Sequence, residues 1–96
     1  MAHIYKMEEW ESNGQWHCGD VSALAAMSNA WWYPMRILDL TPEDYITLLK
    51  DTYHATNFHY SIEYNVLSFC FKTQSDCRKF KNLINKQARE KNFVTY

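Results

Sequence analysis

Between Phe58 and Ala88 the apolar residues change their period once, from two to that of an α-helix, and this order commits the chain to laying a helix on a hairpin. Phe58-His59-Tyr60-Ser61-Ile62-Glu63 and Leu67-Ser68-Phe69-Cys70-Phe71-Lys72 both alternate apolar with polar and are rich in aromatic and β-branched side chains. The turn between them is expected at Tyr64–Val66. With Phe58, Tyr60 and Ile62 on the same face as Leu67, Phe69 and Phe71, one side of the hairpin is a nearly continuous apolar surface. Thr73 or Ser75 then caps a helix whose stripe of Cys77, Phe80, Leu83, Ile84 and Ala88 lies opposite Arg78, Lys79, Lys86 and Arg89.

Upstream, Thr41-Pro42-Glu43-Asp44 is the clearest local signal in the chain. Thr41 stands at the N-cap, Pro42 at the first helical position, and the acids fall in the first turn. This predicts a helix from Pro42 to about His54, with Tyr45, Leu48, Leu49 and Thr52 along one face. Asp20 caps an earlier helix running through Asn29 or Ala30, which must stop near Tyr33 because the residue before Pro34 is driven out of the α region. Met35 to Leu40 then reads as an apolar connector. Ala2 to Met7 is expected to form a short edge strand, and Glu8 to Gly19 reads as loop, with its turn at Ser12-Asn13-Gly14.

These elements make one domain over residues 1–96, of α+β class: a small antiparallel sheet, built from the C-terminal hairpin and a short N-terminal strand, covered on one face by about three helices. A chain of 96 residues buries roughly 60–65% of its unfolded surface, so its core is modest. Sixteen aromatic residues are too many for a core of that size, so some must reach the surface, as amphipathic packing or as a contact patch. The opening MAHIYKMEEWE lacks the pattern of a signal peptide, and Val21 to Trp32 is too short and interrupted to cross a bilayer. Three cysteines without a C-x-x-C pair suit a reduced, cytoplasmic setting.

Residues that carry chemistry are scattered rather than assembled. His17-Cys18 would serve a thiol nucleophile or a metal, and His54 with His59 would need Cys18 or Cys70 to complete a zinc site, but neither spacing matches an established pattern. Glu43 and Asp44 are accounted for by the helix N-terminus. The chain carries no glycine-rich phosphate loop, G-x-S-x-G or H-E-x-x-H, so the expectation is a non-enzymatic protein without cofactor or metal.

Two surfaces are left as candidates for a partner. Trp31-Trp32-Tyr33 with Arg36 supplies the residue types that dominate interface hot spots, with Trp32 as the exposed indole. The last helix presents Arg78, Lys79, Lys81, Lys86 and Arg89, suited to an acidic protein surface or to phosphates, or else simply solvated. The charge is also split along the chain: residues 1–51 hold eight acids and three bases, residues 52–96 three acids and seven bases. Such a dipole steers association unless folding interleaves the halves.

Trp32-Tyr33-Pro34-Met35-Arg36-Ile37-Leu38-Asp39-Leu40, followed by Glu43-Asp44-Tyr45-Ile46, Leu48-Leu49 and later Ile84-Asn85-Lys86-Gln87-Ala88-Arg89, resembles small uncharacterised accessory proteins of phages and mobile elements in Gram-positive bacteria. The resemblance spans roughly residues 20–93 and brings no catalytic positions. It implies an inhibitor or modulator of a host or defence-system protein, an anti-CRISPR protein for instance, whose partner is a protein or a nucleic-acid-bound complex. A nucleic-acid-binding regulator using the basic helix is the alternative, and exposed hairpin edges also suit a homodimer.

Overall fold

The computed structural model describes residues 3–19 and 32–95. Its elements run β1 (His3–Ile4), β2 (Glu8–Ser12), β3 (Gln15–Gly19), α1 (Tyr33–Leu38), α2 (Pro42–Asp51), β4 (Thr56–Ser61), β5 (Val66–Cys70), α3 (Gln74–Glu90) and β6 (Val94–Thr95). The fold is α+β, with helices packed on antiparallel sheet, as the change of hydrophobic period requires. The expected helix from Asp20 to Ala30 lies outside the described residues.

Glu8 to Gly19 is a hairpin and not a loop. Its strands pair in register from Glu8↔Gly19 to Ser12↔Gln15. Asn13 (φ 53) and Gly14 (φ 77) both take left-handed conformations, as a two-residue turn matched to the twist of the strands demands. The second hairpin, β4–β5, pairs Thr56 with Cys70 and then His59 with Ser68. Two residues therefore oppose Phe69 alone, and Asn57, at φ 58, absorbs the bulge. The turn falls at Ile62–Asn65, two residues earlier than expected, and is held by the Tyr64 N–H donating to Ser61 Oγ at 3.2 Å.

One pair of backbone hydrogen bonds joins the hairpins. Trp16 and Phe71 exchange N–H···O bonds of 2.8 Å in both directions, an isolated bridge that sets β3 beside the end of β5 while β2-β3 and β4-β5 stay separate two-stranded sheets. The two ends of the described chain form a third, two-stranded sheet, His3↔Thr95 and Ile4↔Val94, so the expected N-terminal edge strand pairs with β6.

Each longer helix starts at a threonine, Thr41 as expected and Thr73 rather than the alternative Ser75. Thr41 Oγ1 accepts from the Asp44 N–H and Thr73 Oγ1 from the Asp76 N–H, both at 3.2 Å. Met35–Leu40, expected as a connector, is largely α1. Pro34 sits in its first turn, where the missing N–H costs nothing, so the turn that the proline is suited to begin is the first turn of a helix. With two glycines in the whole chain, the helix ends fall to other residues: Asp39, His54 and Asn92 take positive φ after α1, α2 and α3.

The core centres on α3. Phe80 is the hub of an aromatic cluster, with ring centroids 5.3 Å from Tyr53, 6.0 Å from Phe71, 6.2 Å from Tyr45 and 6.3 Å from Phe69. Cys77, Ile84 and Ala88 complete the buried stripe, and Leu83 is half-buried at its edge. A second cluster, Tyr5, Tyr33 and Phe93, ties the two ends of the described chain to α1. Most of the aromatic excess is thus spent on packing.

Candidate partner-binding site

The helical layer covers less of the β4–β5 hairpin than its apolar pattern requires. Phe58 stacks on Phe69 at 5.8 Å, with the Lys50 ammonium of α2 5.0 Å from its ring centroid. Beyond Phe58 the described helices give out. Tyr60 pairs with the buried Leu67 and shares the inner face, as the alternation predicted, yet it is 50% exposed. Ile62 lies past the end of β4 and is 55% exposed, Tyr64 is 72% exposed at the turn, and Val66 is also exposed. The expected continuous, covered apolar face is therefore corrected: its Phe58–Phe69 half is packed, and its far half projects into solvent.

Between the projecting hairpin and α2 runs a groove of about 280 Å³. Tyr60 and Ile62 form one wall, and Ile46, Thr47 and the stem of Lys50 form the other, with Glu43 at one end. Ile46 is buried at its base. The α2 wall is fixed for reasons legible in the chain. Thr41 and Pro42 anchor the start of α2, while Tyr45 and Leu49 bury its opposite face completely. Apolar walls with one acid and one base at the rim suit the insertion of apolar side chains from a protein partner.

The sites expected from the sequence are distributed differently. Trp31 lies outside the described residues. Trp32 is 3% exposed and is not the surface indole that was expected. It stands at the N-cap of α1, and the packing of that helix turns its ring against Tyr45, with centroids 6.4 Å apart. Tyr33 is half-buried among Tyr5 and Phe93, and Arg36 lies 5.9 Å from the Tyr33 ring centroid with its guanidinium at the surface. The three described residues therefore do not form one exposed anchor.

On α3 the basic face is partly spent. Arg78 donates to Glu9 Oε1 through Nε (3.1 Å) and Nη2 (2.9 Å), and Lys81 Nζ donates to the same oxygen at 3.3 Å. The Arg78 hydrogen bonds hold the Glu9 carboxyl below its ordinary range, against an opposing effect of burial. Lys79, Lys86 and Arg89 remain exposed. Glu9 comes from the acidic half of the chain and its partners from the basic half, so folding cancels part of the dipole.

His17 and Cys18, adjacent on β3, point to opposite faces of the sheet, as strand geometry dictates. His17 stacks on Trp10, with centroids 5.7 Å apart and planes 16° from parallel, while Cys18 is buried toward α3. A hydrogen bond with Cys77, joined by burial, pushes the Cys18 thiol well above its ordinary pKa, the opposite of what a nucleophile needs. His54 Nδ1 lies 3.5 Å from Asp76 Oδ1, whereas His59 sits across from Ser68 on the outer face of β4. No helix among the described residues is long and apolar enough to cross a membrane. No family model matches the chain, and no curated protein or solved structure matches it.

Proposed function

We propose that this chain is a non-enzymatic protein-binding module, which docks on its partner through the groove between α2 and the projecting end of the β4–β5 hairpin. The observation that supports this reading is the exposure of Tyr60, Ile62 and Tyr64 on a hairpin whose base is tightly packed. Large apolar side chains held out by a rigid scaffold lose little entropy on docking and bury much area, which is the makeup of an interface hot spot. The resemblance to phage and mobile-element accessory proteins points to a host or defence-system protein in the cytoplasm as the target, with inhibition or modulation by occlusion as the mode of action. The engagement of Arg78 and Lys81 by Glu9 weighs against a phosphate-binding role for α3.

The test is affinity capture from nuclease-treated bacterial lysate with the wild type and an Ile62→Ser/Tyr64→Ser variant side by side. A stoichiometric protein retained by the wild type and lost from the variant, at unchanged melting temperature, is the expected result. Retention of nucleic acid alone, abolished by Lys79→Glu/Lys86→Glu, overturns the reading in favour of a nucleic-acid-binding regulator.

A further inference from the structure

The face of the hairpin array turned away from α3 carries a second concavity, separate from the α2 groove. Glu9 and Cys18 point toward α3, so their neighbours along the strands, Trp10 and His17, lie on the outer face. By the same alternation Phe69 and Phe71 face Phe80, which leaves Ser68 and Cys70 outward. The single Trp16–Phe71 bridge sets β3 beside β5. Trp10, Gln15, His17, Asn57, Ser68 and Cys70 thereby come together around a groove of about 290 Å³.

Three features of this groove select a ligand. Its aromatic wall is two rings already stacked nearly parallel, and such a column is extended best by another flat ring. Besides the His17 imidazole and the sulfurs of Cys18 and Cys70, its polar groups are two carboxamides and a hydroxyl. The Asn57 amide is oriented by donating to Cys70 Sγ at 3.3 Å, which leaves its carbonyl and second N–H available. A carboxamide offers a donor beside an acceptor, the arrangement that matches the N6/N7 edge of adenine. Finally, no Lys, Arg, Asp or Glu lines the groove, so a phosphate would find no fixed charge there and no group but the His17 imidazole to meet it. The volume is at the small end of ligand pockets, which run from about 300 to 1,000 Å³.

From these we infer that the outer groove binds an uncharged purine nucleoside, the base stacked on the Trp10–His17 pair and read by the amides of Asn57 and Gln15. The inference stands apart from the protein-docking surface and survives its failure. The left-handed φ of 58 at Asn57 is equally open to glycine, which would keep the bulge but supply no amide.

The experiment is titration of the full chain with adenosine, followed by the Trp10 indole and the Asn57 and Gln15 side-chain amide resonances in 1H–15N spectra. Saturable shifts at these groups are expected, with affinity falling about tenfold on Trp10→Ala and again on Asn57→Gly, while Trp10→Phe restores most of the loss. Adenosine monophosphate should bind no more tightly than adenosine. Thermal melts of each variant separate loss of binding from loss of fold, and Asn57→Gly keeps the bulge whatever Trp10→Ala does. Absence of shifts at millimolar adenosine overturns the inference. So do shifts indifferent to Asn57→Gly, or a markedly tighter, salt-sensitive association with oligo(dA), which would place the recognition in single-stranded nucleic acid.

Discussion

Glu9 shows how one side chain fastens two parts of the chain that are far apart in sequence. Its Oε1 takes all three hydrogen bonds from Arg78 and Lys81, while Oε2 is buried with no partner among the described residues. The pairing keeps the folded-state pKa below the ordinary 4.5, so the unfolded chain binds the proton more readily. The stability this contributes is complete above the unfolded value and is lost as pH falls through the folded one. Glu9→Gln should therefore cost about 1 kcal/mol at pH 7, the range of a partly exposed ion pair, and the gap to wild type should close on acidification. Urea unfolding of both proteins from pH 7 to pH 3 reads this directly, and a gap that stays constant would assign the loss to packing. Tyr45 presents the opposite case. Burial pushes its hydroxyl well above its ordinary pKa, and the group has no partner among the described residues, so the ring alone accounts for its place in the core.

At the scale of elements, local signals were legible wherever a short-range rule applied. Thr41 and Thr73 were readable as caps because capping depends on residues three apart, and both accept the expected N–H. Thr73→Ala should destabilise the protein by about 1 kcal/mol, Thr73→Ser by much less, with circular-dichroism melts as the measure. The same series should place Asn92→Val below Asn92→Gly, since a β-branched residue resists the left-handed φ of 52 that ends α3. Two elements were misread for identifiable reasons. Asn13-Gly14 is a strong hairpin signal, but the polar Glu8, Glu9 and Glu11 around it hide the alternation that would make strands of its flanks. Met35–Leu40 reads as a connector because six residues are too few to show a helical period, although Pro34 is suited to begin a turn.

Across the whole molecule, the two hairpins meet at a single hydrogen-bonded pair, Trp16 with Phe71. Among the described residues α3 also joins them, since its Phe80 lies against β5 and its Cys77 against β3. Hydrogen exchange should find the Trp16 and Phe71 amides protected well beyond those of Ser61 and Val66 at the projecting end. It should also find that Phe80→Leu lowers protection in both hairpins together. Loss confined to one hairpin would mean that they open independently. The side chains of Ile62 and Tyr64 are exposed at the far end of β4–β5, so substitutions there should leave the melting temperature little changed while they test partner binding.

The α+β class, the caps of α2 and α3, the inward stripe of α3 and the shared face of Phe58 with Phe69 all follow from the order of residues along the chain. Each depends on neighbours within a few positions or on a period that the backbone imposes. Other features depend on where separate elements come to rest. The burial of Trp32, the capture of Arg78 and Lys81 by Glu9 and the exposure of Tyr60 are set by packing. Alternation identifies which face of a strand is apolar, but how far a helix reaches across that face is a matter of three-dimensional placement. Both candidate sites, the α2 groove and the outer groove at Trp10 and Asn57, arise from that placement, because their walls come from segments with no local sequence relation to one another.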